Sequence, residues 1–248
     1  MNGYFAQAIG TDPCVNLAME EYLVRLNEGL RSVILYLWQN EDTVVIGRNQ
    51  NAYNECSLKY AEENGIRIVR RLTGGGAVFH DTGNINYSVI TTASEHDITR
   101  STQVIIVALQ SLGIDAKASG RNDLCVGDKK ISGNAYYTND KVGLHHGTIL
   151  YRVDQEKMEA VLSVAEDKLN RHGIRSVRSR VCDIVSIRPD ISIGDIKEAI
   201  TVSFMKVYGI EDLQDMSIPA GEIDKLADRY RSREWNLDKV VDAGSDEM

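Results

Sequence analysis

The chain has 248 residues and a formal net charge of −8 at pH 7. That length suits one large domain or two small ones, with enough core that no staple is required. The acidic balance leaves no whole-chain basic face, which argues against nonspecific duplex nucleic-acid binding.

No basic segment followed by an apolar run opens the sequence, and no stretch approaches the ~20 apolar residues of a membrane-spanning helix. A cytoplasmic protein with no membrane and no nucleic-acid partner is therefore expected. Cys14, Cys56, Cys125 and Cys182 are far apart and form no CxxC pair, as reduced thiols do rather than a zinc site.

Asp12-Pro13 reads as a helix start, with Asp12 as N-cap and Pro13 at the first helical position. Val15, Ala18, Tyr22 and Leu26 recur at helical spacing up to a stop at Gly29. Two strand-like runs follow, Val33–Trp38 and Thr43–Gly47, around the turn Gln39–Asp42. A short helix over Ser57–Asn64 ends at Gly65 and leads into a strand, Ile66–Arg70.

Beyond the glycines at 74–76, Ala77–Phe79 is extended, and Ile85, Tyr87 and Val89 alternate as in a half-buried strand. Thr99–Leu112 is a helix ended by Gly113. Leu124–Val126, the turn Gly127-Asp128, Lys129–Thr138, the turn Asn139-Asp140 and Val142–Tyr151 form a meander. Helices are expected over Gln155–Val164, Ile193–Tyr208 and Gly221–Arg231. The fold class is α+β, a mixed, largely antiparallel β-sheet flanked by helices, with one domain over residues 1–237 and a polar, flexible tail at 238–248.

Three segments could carry chemistry. In the first, Arg70 to Asp81, three glycines between strands let the backbone approach a ligand, and their N–H groups with the two arginines can line an anion site. A flexible hairpin loop with two solvated arginines fits the same residues. The segment is neither a dinucleotide fingerprint nor a P-loop.

In the second, Gly120 to Leu124 is followed by Lys130 to Ala135, and simple alternation puts Lys130, Ser132 and Asn134 on one face, opposite Ile131, Gly133 and Ala135. A strand lysine beside a tight turn suits a carboxylate or phosphate, although it can equally be a solvated edge residue. The third is His145-His146, which must face opposite ways on a strand, so one at most reaches a shared site. A metal reading of the pair is weak. Local basic clusters at Arg70-Arg71 and at Arg175, Arg178 and Arg180 leave room for a small anionic ligand.

Seven ordered runs together resemble lipoate–protein ligase A: Asn16–Glu21, Asp42–Asn51, Arg70–Asp81, Gly120–Leu124, Lys130–Tyr136, His145–Leu150 and Ser176–Val181. The resemblance implies the biotin/lipoate ligase fold, akin to the class II synthetase core. It also implies a two-step reaction, in which lipoate and ATP give lipoyl-adenylate and the acyl group then passes to an acceptor lysine.

By the same resemblance Lys130 is the catalytic residue, contacting both lipoyl carbonyl and adenylate phosphate. Arg71, Gly76, Ala77, Val78 and Phe79, with Asn122 and Asp123, would hold ATP and the adenylate. Arg70, Gly74, Gly75, Lys130 and His146 would hold the lipoyl group, and Mg²⁺ is expected with ATP, its ligands unassigned. The implied partners are lipoyl domains of 2-oxoacid dehydrogenases and the glycine-cleavage H protein.

Full-length ligases of this family continue past a segment like Arg233-Glu234-Trp235-Asn236 into an accessory domain, whereas this sequence stops soon after Asn236. A separate accessory subunit is therefore one expectation. Use of preformed lipoyl-adenylate, or of an acyl-carrier donor, without an activation step is the alternative, and a self-sufficient chain is the third.

A cysteine-thioester transferase is a rival, for which Cys125 is the one cysteine near the site in sequence. Its place in Leu124–Val126 reads better as a buried structural cysteine, and Cys182 is no better placed. A biotin ligase would carry a more arginine-rich loop, and a non-catalytic binder would not need Lys130, Arg71 and the glycines together.

Overall fold

Two sheets and three helical layers make up the residues described by the computed structural model, 2–162 and 181–238. The arginine-rich run at 175–180 and the acidic tail lie outside the described residues.

The larger sheet combines β1 (Gly3–Gln7), β2 (Val33–Trp38), β6 (Asn84–Thr92), β7 (Ala116–Ser119), β8 (Asp123–Val126), β9 (Lys129–Thr138), β10 (Val142–Leu150) and β11 (Leu213–Asp215). Its order is β11-β1-β2-β6-β10-β9-β8-β7. β1 runs parallel to both β11 and β2, and the remaining pairs are antiparallel, so the mixed, largely antiparallel α+β expectation holds. A smaller sheet orders β4 (Arg67–Arg70), β3 (Thr43–Ile46) and β5 (Val78–His80).

Local chemistry sets most helix ends. Asp12 Oδ1 accepts from Cys14 N at 2.9 Å and starts α1 (Pro13–Leu30) as expected. Its end is different: Gly29 stays helical, and Arg31 takes the left-handed cap at φ 54°. Ser57 caps α3 (Leu58–Glu63), which follows the short α2 (Ala52–Glu55), and Asp97 caps α4 (Ile98–Ser111). After α5 (Gln155–Leu162) and the single turn α6 (Ile184–Ile187), Ser192 and Asp195 form a full capping box on α7 (Ile193–Tyr208). α8 (Ala220–Arg231) precedes a wide turn over Glu234–Asp238. No described helix is long and apolar enough to cross a membrane.

The larger sheet is covered on both faces. Val33, Leu35, Leu37, Ile85, Tyr87, Val89 and Ile149 pack against α4 and α7. Ile34, Tyr36, Trp38, Ile90 and Leu144 pack against α1, α8 and the small sheet. Hence β6 is buried on both sides except at Thr92, rather than half-buried as its alternation suggested. Three of its polar residues, Asn84, Asn86 and Ser88, face the α1 side and are completely buried. Such residues need partners, and they point to where the sheet is doing more than packing.

A candidate active site beneath the glycine loop

The glycine segment joins β4 to β5 and folds back over the α1 side of the larger sheet. Gly75 has φ 94°, a conformation other residues rarely take. An alanine methyl at Gly47, at the end of β3, would lie 2.1 Å from the Gly75 carbonyl oxygen. Glycines at both places are thus needed for the loop to lie down. Gly74, Gly75 and Gly76 are exposed at its crest, whereas Thr73 is buried beneath.

Both arginines before the loop are buried, which overturns the reading of solvated arginines and of a plain flexible hairpin. Arg71 donates from Nη2 to the Gly74 and Gly76 carbonyls at 2.7 and 2.8 Å, from Nη1 to Val45 O at 3.1 Å, and from Nε to Thr73 Oγ1 at 2.9 Å. It holds the loop from inside. Burial pulls its pKa down to about 10, with Glu20 opposing, so it stays charged at neutral pH.

Arg70 reaches no open surface. Its guanidinium donates to the carbonyls of Gly47, Arg48, Gln50, Trp235 and Asn236, at 2.6–3.1 Å. Fully buried and held by these five carbonyls, it braces the loop from behind. Its backbone completes the staple: Asn236 Oδ1 accepts from Arg70 N, and Trp235 Nε1 donates to Arg70 O.

Beneath Thr73 runs a buried polar relay. Trp38 Nε1 donates to Ser88 Oγ at 3.1 Å, and Ser88 Oγ donates to Glu20 Oε1 at 2.5 Å. His146 Nδ1 lies 2.8 Å from the same oxygen and Nε2 lies 2.8 Å from Thr73 Oγ1. A carboxylate only accepts, so Nδ1 carries the proton and Nε2 accepts from Thr73. The relay ties the sheet to the loop that Arg71 holds. His145 faces the other side, as strand alternation requires, bonding Ser101 Oγ at 2.7 Å and Asn134 Oδ1 at 2.8 Å.

Lys130 sits on β9, the neighbour of the His146 strand. Its Nζ is 2.7 Å from Asp123 Oδ1, and both side chains are partly exposed, 36% and 40%. The expected face-sharing with Ser132 and Asn134 does not occur. Leu124 pairs with Ser132 but Cys125 pairs with Lys130, so Ile131 is an extra residue, a β-bulge that reverses the alternation. Lys130 therefore lies with Gly133: a methyl there would be 3.2 Å from Nζ. Cys125 is partly exposed rather than buried, while Cys14, Cys56 and Cys182 are buried.

Asn122 lies on the β7–β8 turn, its carbonyl accepting from Asn134 N and Nδ2 at 2.8 and 3.0 Å. Ala77 and Val78 are half-buried, and Phe79 is buried among Val44, Ile46 and Leu150, leaving only its backbone for a ligand.

The sheet register, not the sequence, collects these residues. Asp123 pairs with Gly133, Gly133 with Thr148, Thr148 with Asn86 and Asn86 with Trp38. One row thus crosses five strands, from the ion pair at the rim to Trp38 in the core. His146, two residues from Thr148, carries the loop above it. Sequence reasoning missed Glu20, Trp38, Ser88, Asn86 and His80 as members of this site. Glu20 stood within a recognised run, and a charged residue on the apolar side of a helix was the available signal.

A braced glycine loop thus lies over one face of the larger sheet, with a strand lysine at the rim of the same face. Residues 12–205 match the family described as lipoyl protein ligase A/B catalytic domain, and the chain belongs to that family.

Solved structures agree. The bi-partite lipoate protein ligase of Thermoplasma acidophilum, described with its E2 lipoyl domain, is 30% identical with a TM-score of 0.84, over 98% of this chain and 100% of that one. A lipoate-protein ligase A bound with ATP is 29% identical at a TM-score of 0.83, over 95% and 98%. LipL1 of P. falciparum, in complex with lipoate, is 27% identical at 0.82, over 96% of this chain and 75% of that one.

Proposed function

We propose that this protein is an ATP-dependent ligase that attaches lipoate to a lysine of an acceptor protein through lipoyl-adenylate. The observation that carries the reading is Lys130, a partly exposed ammonium fixed by a bulged strand and by Asp123 at the rim of the sheet face that the glycine loop covers.

In the first step a lipoate carboxylate oxygen bonds to the α-phosphorus of ATP and pyrophosphate leaves. In the second, the acceptor amine attacks the acyl carbon of the mixed anhydride, AMP departs with the C–O electron pair, and the nitrogen loses a proton. Negative charge gathers on the α-phosphate oxygens first and on the acyl oxygen next. A preplaced ammonium and backbone N–H groups favour both. Lys130 does this by exchanging Asp123 for substrate oxygens.

Arg71, Gly76, Ala77, Val78 and Phe79 take the nucleotide, Arg71 by holding the loop and the others through their backbone. Asn122 and Asp123 form the opposite rim. Gly74, Gly75 and His146 wall the lipoyl slot, and Arg70 supports it from behind. The bound ATP and lipoate of the relatives support these substrates. Mg²⁺ usually takes one or two carboxylates and nucleotide phosphates. Among the described residues no three metal-ligating side chains converge, so no step is assigned to it.

The archaeal relative's E2 lipoyl domain supports lipoyl domains as acceptors. The glycine-cleavage H protein is a second acceptor to test, and an accessory subunit is a candidate partner for the adenylation step.

The test incubates the chain with an apo lipoyl domain and reads intact mass. One arm contains lipoate, ATP and Mg²⁺; the other contains synthetic lipoyl-adenylate. Mass gain in both arms marks a self-sufficient ligase. Gain with the adenylate alone marks a transfer-competent core activated by a partner. Gain in neither, with folded protein, would sink the reading. Lys130→Ala should abolish gain in both arms yet melt like the wild type, because an ion pair this exposed contributes at most about 1 kcal/mol.

A further inference from the structure

We infer that Asn86 is a specificity-determining residue that makes the slot prefer an acyl chain ending in a cyclic disulfide over one ending in a methyl group. The inference rests on the lipoyl-ligase reading above. It starts from four buried polar atoms at the inner end of the register row that have no partner among the described residues.

Asn86 is completely buried, and among the described residues neither its Nδ2 nor its Oδ1 has a hydrogen-bond partner. Glu20 Oε2 is likewise unpartnered, on the side chain that accepts from Ser88, two residues along β6. The fourth is His80 Nε2. The His80 ring stands edge-on to Trp38 at 6.0 Å, and its Nδ1 is 3.2 Å from Asn40 Nδ2. That amide donates, so Nδ1 accepts and Nε2 holds the proton. Burial, with Arg71 and His146 nearby, lowers the His80 pKa to about 3, so the ring is neutral. The inner end therefore offers unpaired N–H donors from Asn86 and His80 around Trp38.

Register gives the distance. With the acyl head group at Lys130, over Gly133, Thr148 and then Asn86 lie one and two strands inward on the same face. Two strand spacings are roughly 10 Å, and an extended eight-carbon acyl chain is of similar length, roughly 9 Å. Gly133 and Thr148, small and partly exposed, leave the row open between the rim and the buried amide. The chain end meets Asn86. A thioether-like sulfur accepts a weak hydrogen bond from the Asn86 amide; a terminal methyl leaves the amide as unpaired as before. Sites built around a polar partner discriminate against analogues that lack it.

The experiment gives the full chain an apo lipoyl domain and competing pairs of synthetic acyl-adenylates, read by intact mass, so that activation of the acid plays no part. The pairs are lipoyl against octanoyl, and lipoyl against 5-cyclopentylpentanoyl, which keeps the ring and lacks sulfur. Wild-type protein should favour lipoyl over both by roughly tenfold. Asn86→Leu, nearly isosteric, should erase most of that preference by improving the two hydrocarbon chains.

Equal use of the cyclopentyl and lipoyl chains by the wild type would overturn the inference, because ring shape would then suffice. This holds whether or not the variant folds. So would an unchanged ratio in a folded Asn86→Leu. Transfer of none of the three chains would overturn the ligase reading itself, and this inference with it.

Discussion

Replacing Gly47 by alanine separates the architecture of the glycine loop from its chemistry. The new methyl would stand 2.1 Å from the Gly75 carbonyl oxygen and 3.1 and 3.3 Å from the carbonyl carbons of Gly75 and Gly74. Ordinary contact begins near 3.4 Å, so the loop must lift by at least about 1 Å. Lifting it pulls the Gly74 carbonyl from Arg71 Nη2, now at 2.7 Å, and strains the Thr73–His146 contact, now at 2.8 Å.

Overpacking of this kind costs about 1–3 kcal/mol, a fall in Tm of roughly 2–12 °C for a domain of this size. A displacement of ~1 Å at reacting groups costs on the order of 100-fold in rate. Gly76→Ala is the control, because nothing lies within 4 Å of its added methyl and its φ is not positive. It should melt within about 0.5 kcal/mol of the wild type, while raising KM for ATP. The assay pairs thermal melts with single-turnover acyl transfer from lipoyl-adenylate. If Gly47→Ala transferred at the wild-type rate, the claim that loop height sets the geometry would be wrong.

Arg70→Lys should lower stability by about 1–3 kcal/mol, since an ammonium cannot reach five carbonyls at once. A brace predicts that Kd for lipoate, by calorimetry below Tm, stays within about twofold; a large rise with unchanged melting would restore Arg70 as a direct lipoyl contact.

Acid should destabilise the fold through His80 and His145, whose pKa values burial lowers to about 3 from 6.5. Both are neutral when folded, so the unfolded chain binds protons more readily between pH 6.5 and about 3. Their contribution is intact above pH 6.5 and is lost as pH falls through that window. Urea unfolding at pH 5 should give about 4 kcal/mol less stability than at pH 7 from the pair, and His145→Gln should remove about half of the difference. A flat profile from pH 7 to 5 would contradict their burial as neutral rings.

Much of the fold was legible where the cause is local. Asp12-Pro13, Ser57 and Gly65 bracket helices through side-chain caps and one positive φ, all short-range effects. The meander was readable because Gly127-Asp128 makes a tight turn between alternating runs. β1 and the edge strand β11 were not foreseen; they are short and pair in parallel across more than 200 residues, Gly3 with Leu213. β7 escaped notice because Ala116–Ser119 carries no large apolar or β-branched residue and is exposed beyond Ala116.

The site divides along the same line. The sequence by itself determined that three glycines, a strand lysine and a histidine pair would be present, because turn chemistry and strand periodicity act within a few residues. Tertiary structure decided where their side chains go. A single extra residue at Ile131 moved Lys130 to the face of Gly133. Five carbonyls, from two segments far apart in sequence, set Arg70 as a brace behind the glycine loop. Facing, burial and pairing are properties of what lies across a sheet or beneath a helix, and no window of neighbouring residues contains them.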